Sequence, residues 1–267
     1  MKAIEIINLL NRWASPYLID EWDNTGFQIG DGEKEVKKII VSLDLDRKVF
    51  EKAVNEKAQM IITHHPIIFE PLKSITKLYY KEKLIYDLIK EDIVVYNAHT
   101  NLDLAEGGVN DALADILEIK NPEPLNIVCR EPLRNEGKIY GYGRIGEIEE
   151  TSLVNYLEII KNRLDVDNLI VYGNINKTVK RVGVCGGSGA SFIYDAYMKG
   201  ADIYITGDIK YHEAQYANEL GLTLIDGGHY HTEKVILPVI KEYLDRETSN
   251  VIEVEVYDQS SPPYVVY

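Results

Sequence analysis

The sequence predicts an α/β fold made of two similar halves, each a mixed sheet covered by helices. Strand-length apolar runs alternate with helical stretches for over a hundred residues, break at Asn121-Pro122-Glu123-Pro124, and resume with the same rhythm. Such alternation requires crossover connections and sheets with both faces covered. A third observation is that histidines leave these runs at the carboxyl ends of strands, where open α/β sheets place ligands.

In the first half, Ile4, Ile7 and Leu10 form a helical stripe over 3–13, and Pro16 ends it. Residues 20–30, with Trp22 and Phe27 among polar residues and glycines, read as a solvent loop pinned by Trp22 in preference to a substrate loop. A strand at 38–43, a helix at 46–57 and a short buried strand at 58–63 follow, and the last ends in His64-His65-Pro66. Next come a helix at 81–90, a strand at 93–97 and a helix at 108–117. The second half begins with a strand at 138–145, a helix at 152–164, and strands at 169–172 and 179–184. A helix at 190–199, a strand at 202–206, a helix at 209–220 and a strand at 222–225 continue it. The chain closes with a helix at 230–243, a strand at 251–256 and a surface strap through Ser260-Ser261-Pro262-Pro263.

A chain of 267 residues, 45% hydrophobic and 27% charged, is ordinary soluble globular material with room for two modest cores. No apolar run is long enough for a bilayer and the amino terminus lacks a signal-peptide pattern, so a cytoplasmic protein without a membrane partner is expected. Cys129 and Cys185 are far apart, which supports neither a disulfide framework nor a thiolate zinc site. Any metal is therefore held by nitrogen and oxygen. The net charge of −14 opposes general affinity for phosphate backbones, while leaving room for a local basic face in an oligomer.

All six histidines sit at strand ends or helix starts near carboxylates. Neighbouring residues leaving a strand point to opposite sides, so His64 and His65 are expected to hold one ion each. His229 and Glu233, four apart after the turn Asp226-Gly227-Gly228, project from one face of a helix start and form a workable ligand pair. Asp103, in Ala98-His99-Thr100-Asn101-Leu102-Asp103, completes a set of His64, His65, Asp103, His229 and Glu233. Imidazoles and carboxylates in that ratio suit two borderline divalent ions, Zn, Fe, Mn, Co or Ni, better than Ca or Mg. Two such ions attract phosphates, activate water and polarise a carbonyl or phosphoryl group, so hydrolysis is the default reaction class. His99, Asp208 and His212 admit three readings: ligands, groups orienting a ligand, or catalytic proton-transfer groups. The turn Cys185-Gly186-Gly187-Ser188-Gly189 lacks the lysine of a nucleotide loop, but free backbone N–H groups there are expected to suit an anion.

Thr63-His64-His65-Pro66, Ala98-His99-Thr100-Asn101-Leu102-Asp103, Gly186-Gly187-Ser188-Gly189, Thr206-Gly207-Asp208 and Gly228-His229-Tyr230-His231-Thr232-Glu233, with Trp22-Asp23-Asn24-Thr25-Gly26, together resemble the YbgI-type family, also called NIF-three-like proteins or GTP cyclohydrolase type 2 homologues. The resemblance runs in order through almost the whole chain. It implies two α/β domains with a dinuclear metal site in the cleft between them, and assembly into a homohexameric ring. It also implies that His64, His65, Asp103, His229 and Glu233 are the ligands, Glu233 bridging, with His99, Asp208 and His212 nearby. Because the helix with His229 and Glu233 must then return to the His-His strand, residues 1–125 with 226–267 are expected as the first domain and 126–225 as the second. Three functions follow from the resemblance: a metal-dependent hydrolase of a nucleotide or another phosphorylated small molecule, a ring that binds DNA or other nucleic acid, or a scaffold for protein interaction or metal handling.

Overall fold

The computed structural model describes residues 1–128 and 139–258. Two compact units result among the described residues, 1–102 with 237–258, and 103–236. Cys129 and the expected strap at 260–263 lie outside the described residues.

The first unit is a five-stranded sheet in the order β1-β4-β3-β2-β11, formed by β1 (Gly26–Ile29), β2 (Lys38–Ser42), β3 (Met60–Thr63), β4 (Val94–Asn97) and β11 (Glu253–Val256). The last four run parallel, with Ser42 opposite Thr63 and Thr63 opposite Asn97, and β1 pairs antiparallel with β4. Every residue of β3 is buried, as expected of a central parallel strand covered on both faces. Helices α1 (Ala3–Trp13), α2 (Arg47–Asn55), α3 (Tyr80–Lys90) and α10 (Ile236–Glu247) belong with this sheet. Asp46 caps α2 by accepting from the Val49 N–H at 2.9 Å, which fixes where the chain turns after β2. Ile40, Val49, Ile61, Leu84, Leu88 and Val95 make the core between α2, α3 and the sheet.

The second unit is a six-stranded sheet in the order β5-β6-β8-β9-β10-β7. Its strands are β5 (Lys120–Val128), β6 (Tyr140–Ser152), β7 (Ile170–Tyr172), β8 (Thr178–Val184), β9 (Ile203–Thr206) and β10 (Thr223–Asp226). The three strands β8, β9 and β10 are parallel, and the others pair antiparallel. Helices α5 (Val109–Ile116) and α6 (Leu153–Leu164) contribute Leu113, Leu153, Tyr156 and Ile160 to a core with Val182, Ile203 and Ile225. On a second core Ile193 and Ala196 of α7 (Ile193–Met198) and Ala217 of α8 (Tyr211–Leu220) pack with Tyr204 and Leu224.

Several expectations change. The loop expected at 20–30 contains β1. The Asn121-Pro122-Glu123-Pro124 break is no linker: it lies inside β5, which is an edge strand where a missing N–H costs no ladder bond, and the register shifts there between Lys120 and Glu123. The helix expected at 230–243 is two helices, α9 (His229–Glu233) and α10. The compact units divide within α4 (Thr100–Leu104) and again before Leu237, not at 125/126 and 225/226. Helix α9 packs with the second unit because its Thr232 accepts from the Gly187 N–H at 3.0 Å and the following Lys234 pairs with Asp165. Among the described residues, no helix is long and apolar enough to cross a membrane.

Candidate metal centre

In the first unit, three adjacent parallel strands deliver polar side chains from their carboxyl ends. Asp44 follows β2, His64 and His65 follow β3, and His99 follows β4. His64 is fully buried, His65 and His99 half-buried. One ligand atom from each of His64, His65 and His99 lies within 4.8 Å of the others. The expectation that His64 and His65 face opposite sides is not met: their ring centroids are 4.9 Å apart. The alternation of a strand ends with β3 at Thr63, whose hydroxyl donates to the His65 carbonyl at 2.7 Å and curls the chain.

Each of these imidazoles has its Nδ1 occupied. That of His64 donates to the Ala98 carbonyl at 2.8 Å, that of His65 to Asp44 Oδ1 at 2.9 Å, and that of His99 to Asp23 Oδ1 at 3.0 Å. A carbonyl or carboxylate oxygen can only accept, so each Nδ1 carries a proton, and coordination by these rings would go through Nε2. Metal-bound histidines are held in this way. Asp23 corrects the expectation of a solvent loop at 20–30. Its side chain is fully buried and also accepts from Thr100 Oγ1 at 2.7 Å and Thr25 Oγ1 at 2.5 Å, while Trp22 is 61% exposed. Burial opposes the charged form of Asp23, but the hydrogen bonds from His99, Thr25 and Thr100 outweigh it and hold the carboxyl well below its usual range.

The second unit repeats the device. The glycine turn follows β8, Asp208 follows β9 and His229 follows β10. His229 Nδ1 donates to Asp208 Oδ2 at 2.7 Å, and its Nε2 lies 3.0 Å from Glu233 Oε2, one helical turn on. Two ligands of one tetrahedral zinc are about 3.3 Å apart, so the pair is spaced for coordination without rearrangement. Asp208 thus orients an imidazole. Gly187, at φ +65°, stands so close that a Cβ there would come within 2.0 Å of Glu233 Oε1 and 3.3 Å of His229 Nε2. Three amides of this turn are spent internally and so are not offered to the anion expected there: Gly186 donates to Asn110 Oδ1, Gly187 to Thr232 Oγ1 and Gly189 to Thr206 Oγ1, all at 2.8 to 3.0 Å. The turn is a wall for Glu233.

Asp103 is half-buried on α4, its carbonyl accepting from Asn110 at 3.0 Å. Burial first, then the charge of Asp103, with a smaller part from Glu233, pushes the neighbouring Cys185 thiol up to about 12. His212 is exposed on α8, beside the Tyr211 ring and 3.4 Å from Gln215 Oε1. His231 lies half-buried against the Tyr230 ring. Asp23 and Asp44 were missed by sequence reasoning as partners of the histidines. The one available signal was position, Asp44 sitting after the strand that precedes the His-His strand.

Residues 1–263 match the family model described as Duf34/NIF3 (NGG1p interacting factor 3). A Clostridium perfringens protein called GTP cyclohydrolase 1 type 2 homolog is 35% identical over 265 residues, 99% of each chain. One of the same name from Methanocaldococcus jannaschii is 37% identical over 246 residues, covering 91% of this chain and 95% of its own. Among solved structures, a Bacillus cereus protein related to NIF3 superposes with TM-score 0.94 at 28% identity, over 100% of this chain and 99% of that one. Reduced HcgD from Methanocaldococcus jannaschii gives 0.79 at 35% identity, over 96% and 97%. With a family model spanning nearly its whole length and relatives of this identity, the chain belongs to the Duf34/NIF3 family.

Proposed function

We propose that the chain is a metal-dependent hydrolase of a nucleotide or a related phosphorylated small molecule, with a dinuclear metal centre. The observation that carries this reading is that His64, His65, His99 and His229 all bind an acceptor through Nδ1, the arrangement in which metal-bound imidazoles coordinate through Nε2. A structural histidine needs no such uniform orientation. The donors fit Zn, Fe, Mn, Co or Ni. His64, His65, Asp103, His229 and Glu233 are the proposed ligands, and the 4.8 Å grouping adds His99 to them in place of a catalytic role.

Two such ions supply Lewis acidity and make water a nucleophile at neutral pH. The chain's own part is orientation: Asp44, Asp23 and Asp208 hold the Nδ1 protons of His65, His99 and His229, which keeps each lone pair inward. Asp208 therefore positions rather than transfers a proton, and exposed His212 is the remaining proton-transfer candidate. Asp103 and Glu233 leave two divalent ions incompletely neutralised, which favours a phosphorylated substrate. The shared name of the relatives, GTP cyclohydrolase 1 type 2 homolog, supports the nucleotide class. A homohexameric ring is the proposed assembly.

Elemental analysis tests the ligand set. His65→Ala or Glu233→Ala is expected to lower the bound metal, and an undiminished metal content in either variant would refute it. Turnover of phosphorylated metabolites by the loaded protein is expected to stop on chelation; turnover that survives complete metal removal excludes the catalytic reading.

A further inference from the structure

We infer that Trp22 and Phe69 form a stacking subsite for the planar heteroaromatic ring of the substrate, at the edge of the His64-His65-His99 group. The inference rests on the nucleotide reading above and names the residues that hold the base. Trp22 is 61% exposed and Phe69 44% exposed. Their ring centroids are 6.0 Å apart with the planes tilted by 54°, so a flat ring stacked on one meets the other at its edge. The indole also meets the His99 ring edge-on, at 6.1 Å and 83°. The surface therefore begins where the imidazoles end.

Aromatic side chains are ordinarily covered by packing, as half-buried Trp13 is by Tyr243, stacked at 4.7 Å. Trp22 and Phe69 are instead held out by a rigid frame. Gln28 Nε2 donates to the Asn24 carbonyl at 2.7 Å, Gln28 Oε1 accepts from the Ile68 N–H at 3.1 Å, and Asn24 Nδ2 donates to the Ile68 carbonyl. The first of these hydrogen bonds braces the segment carrying Trp22, and the other two join it to the loop carrying Phe69. On the other side of Trp22, buried Asp23 is anchored to His99 and Thr100. The ordering entropy of both loops is thus spent before any ligand arrives, which is the preorganisation a binding surface needs. Stacking accepts any flat ring, because every base has a π-face, and so selects a purine- or pterin-like heterocycle over a sugar phosphate without reading its edges.

The test compares two probes, guanosine 5′-monophosphate and ribose 5-phosphate, by calorimetry on the full metal-loaded chain. Trp22→Ala and Phe69→Ala are expected to weaken the nucleotide about tenfold to a hundredfold. Ribose 5-phosphate affinity and metal content should stay unchanged, and Trp22→Phe should restore most of the loss. In a Trp13→Phe background, the nucleotide should quench the Trp22 fluorescence, an observation that needs no destabilising variant. Equal nucleotide affinity in wild type and Trp22→Ala, or no quenching, overturns the subsite while leaving the metal and phosphate reading intact. A metal-loaded wild type that binds neither probe overturns both together.

Discussion

Asp44 accepts the Nδ1 proton of His65 at 2.9 Å, and Asp23 does the same for His99 from a fully buried position. An amide in either place accepts more weakly and can turn its NH2 toward the ring, which frees the imidazole to adopt the other tautomer. Asp44→Asn and Asp23→Asn are therefore expected to weaken metal binding about 10- to 100-fold while every proposed ligand is still present. Chelator competition measures this, and affinity unchanged in both variants would show that the orientation does not matter. Cys185 illustrates the reverse use of burial. Its folded pKa is raised from 9.0 to about 12, so the neutral thiol is the stabilised form, and the associated stability is present below pH 9 and lost as pH rises toward 12. In a Cys129→Ser variant, Cys185 should resist thiol reagents at pH 8 until denaturant is added; rapid reaction in the native protein would contradict its burial.

At the scale of elements, the second unit's candidate ligands depend on strand-turn-helix junctions. Helix α9 begins immediately after β10, and the turn after β8 is pressed against it through Gly187 and Thr232. Gly187 needs to be glycine twice over. Its φ of +65° costs an L-residue about 1–2 kcal/mol, and a methyl group would occupy the place of the Glu233 carboxylate. Gly187→Ala should thus displace Glu233 and sharply reduce bound metal, with far-ultraviolet circular dichroism close to wild type. Full metal retention in that variant would show that Glu233 can move aside and is no ligand of a fixed site.

For the whole molecule, the relevant quantity is charge. With 43 acidic and 29 basic side chains, the surface repels a phosphate backbone, and the proposed attraction for anions is confined to the metal site. The expected outcome is tight retention of a small phosphorylated ligand with no measurable binding of duplex DNA at about 0.15 M salt, read by fluorescence anisotropy. DNA binding that survives that salt would favour the ring as a nucleic-acid clamp.

Strand and helix alternation, the buried β3 and the motifs around His64, His99, Asp208 and His229 were legible in the sequence, because apolar period and glycine or proline punctuation act over a few residues. The same local logic misread Asn121-Pro122-Glu123-Pro124, since only strand order shows that β5 is an edge that tolerates proline. It also set His64 and His65 on opposite sides, by extending an alternation that stops at Thr63. What the sequence determined by itself was which strands end in histidine and carboxylate side chains. Which proton each imidazole keeps was decided by the tertiary structure, because Asp23 reaches His99 across 76 residues and Asp44 reaches His65 across 21. Such hydrogen bonds depend on strand order and loop closure, and leave no periodic trace along the chain.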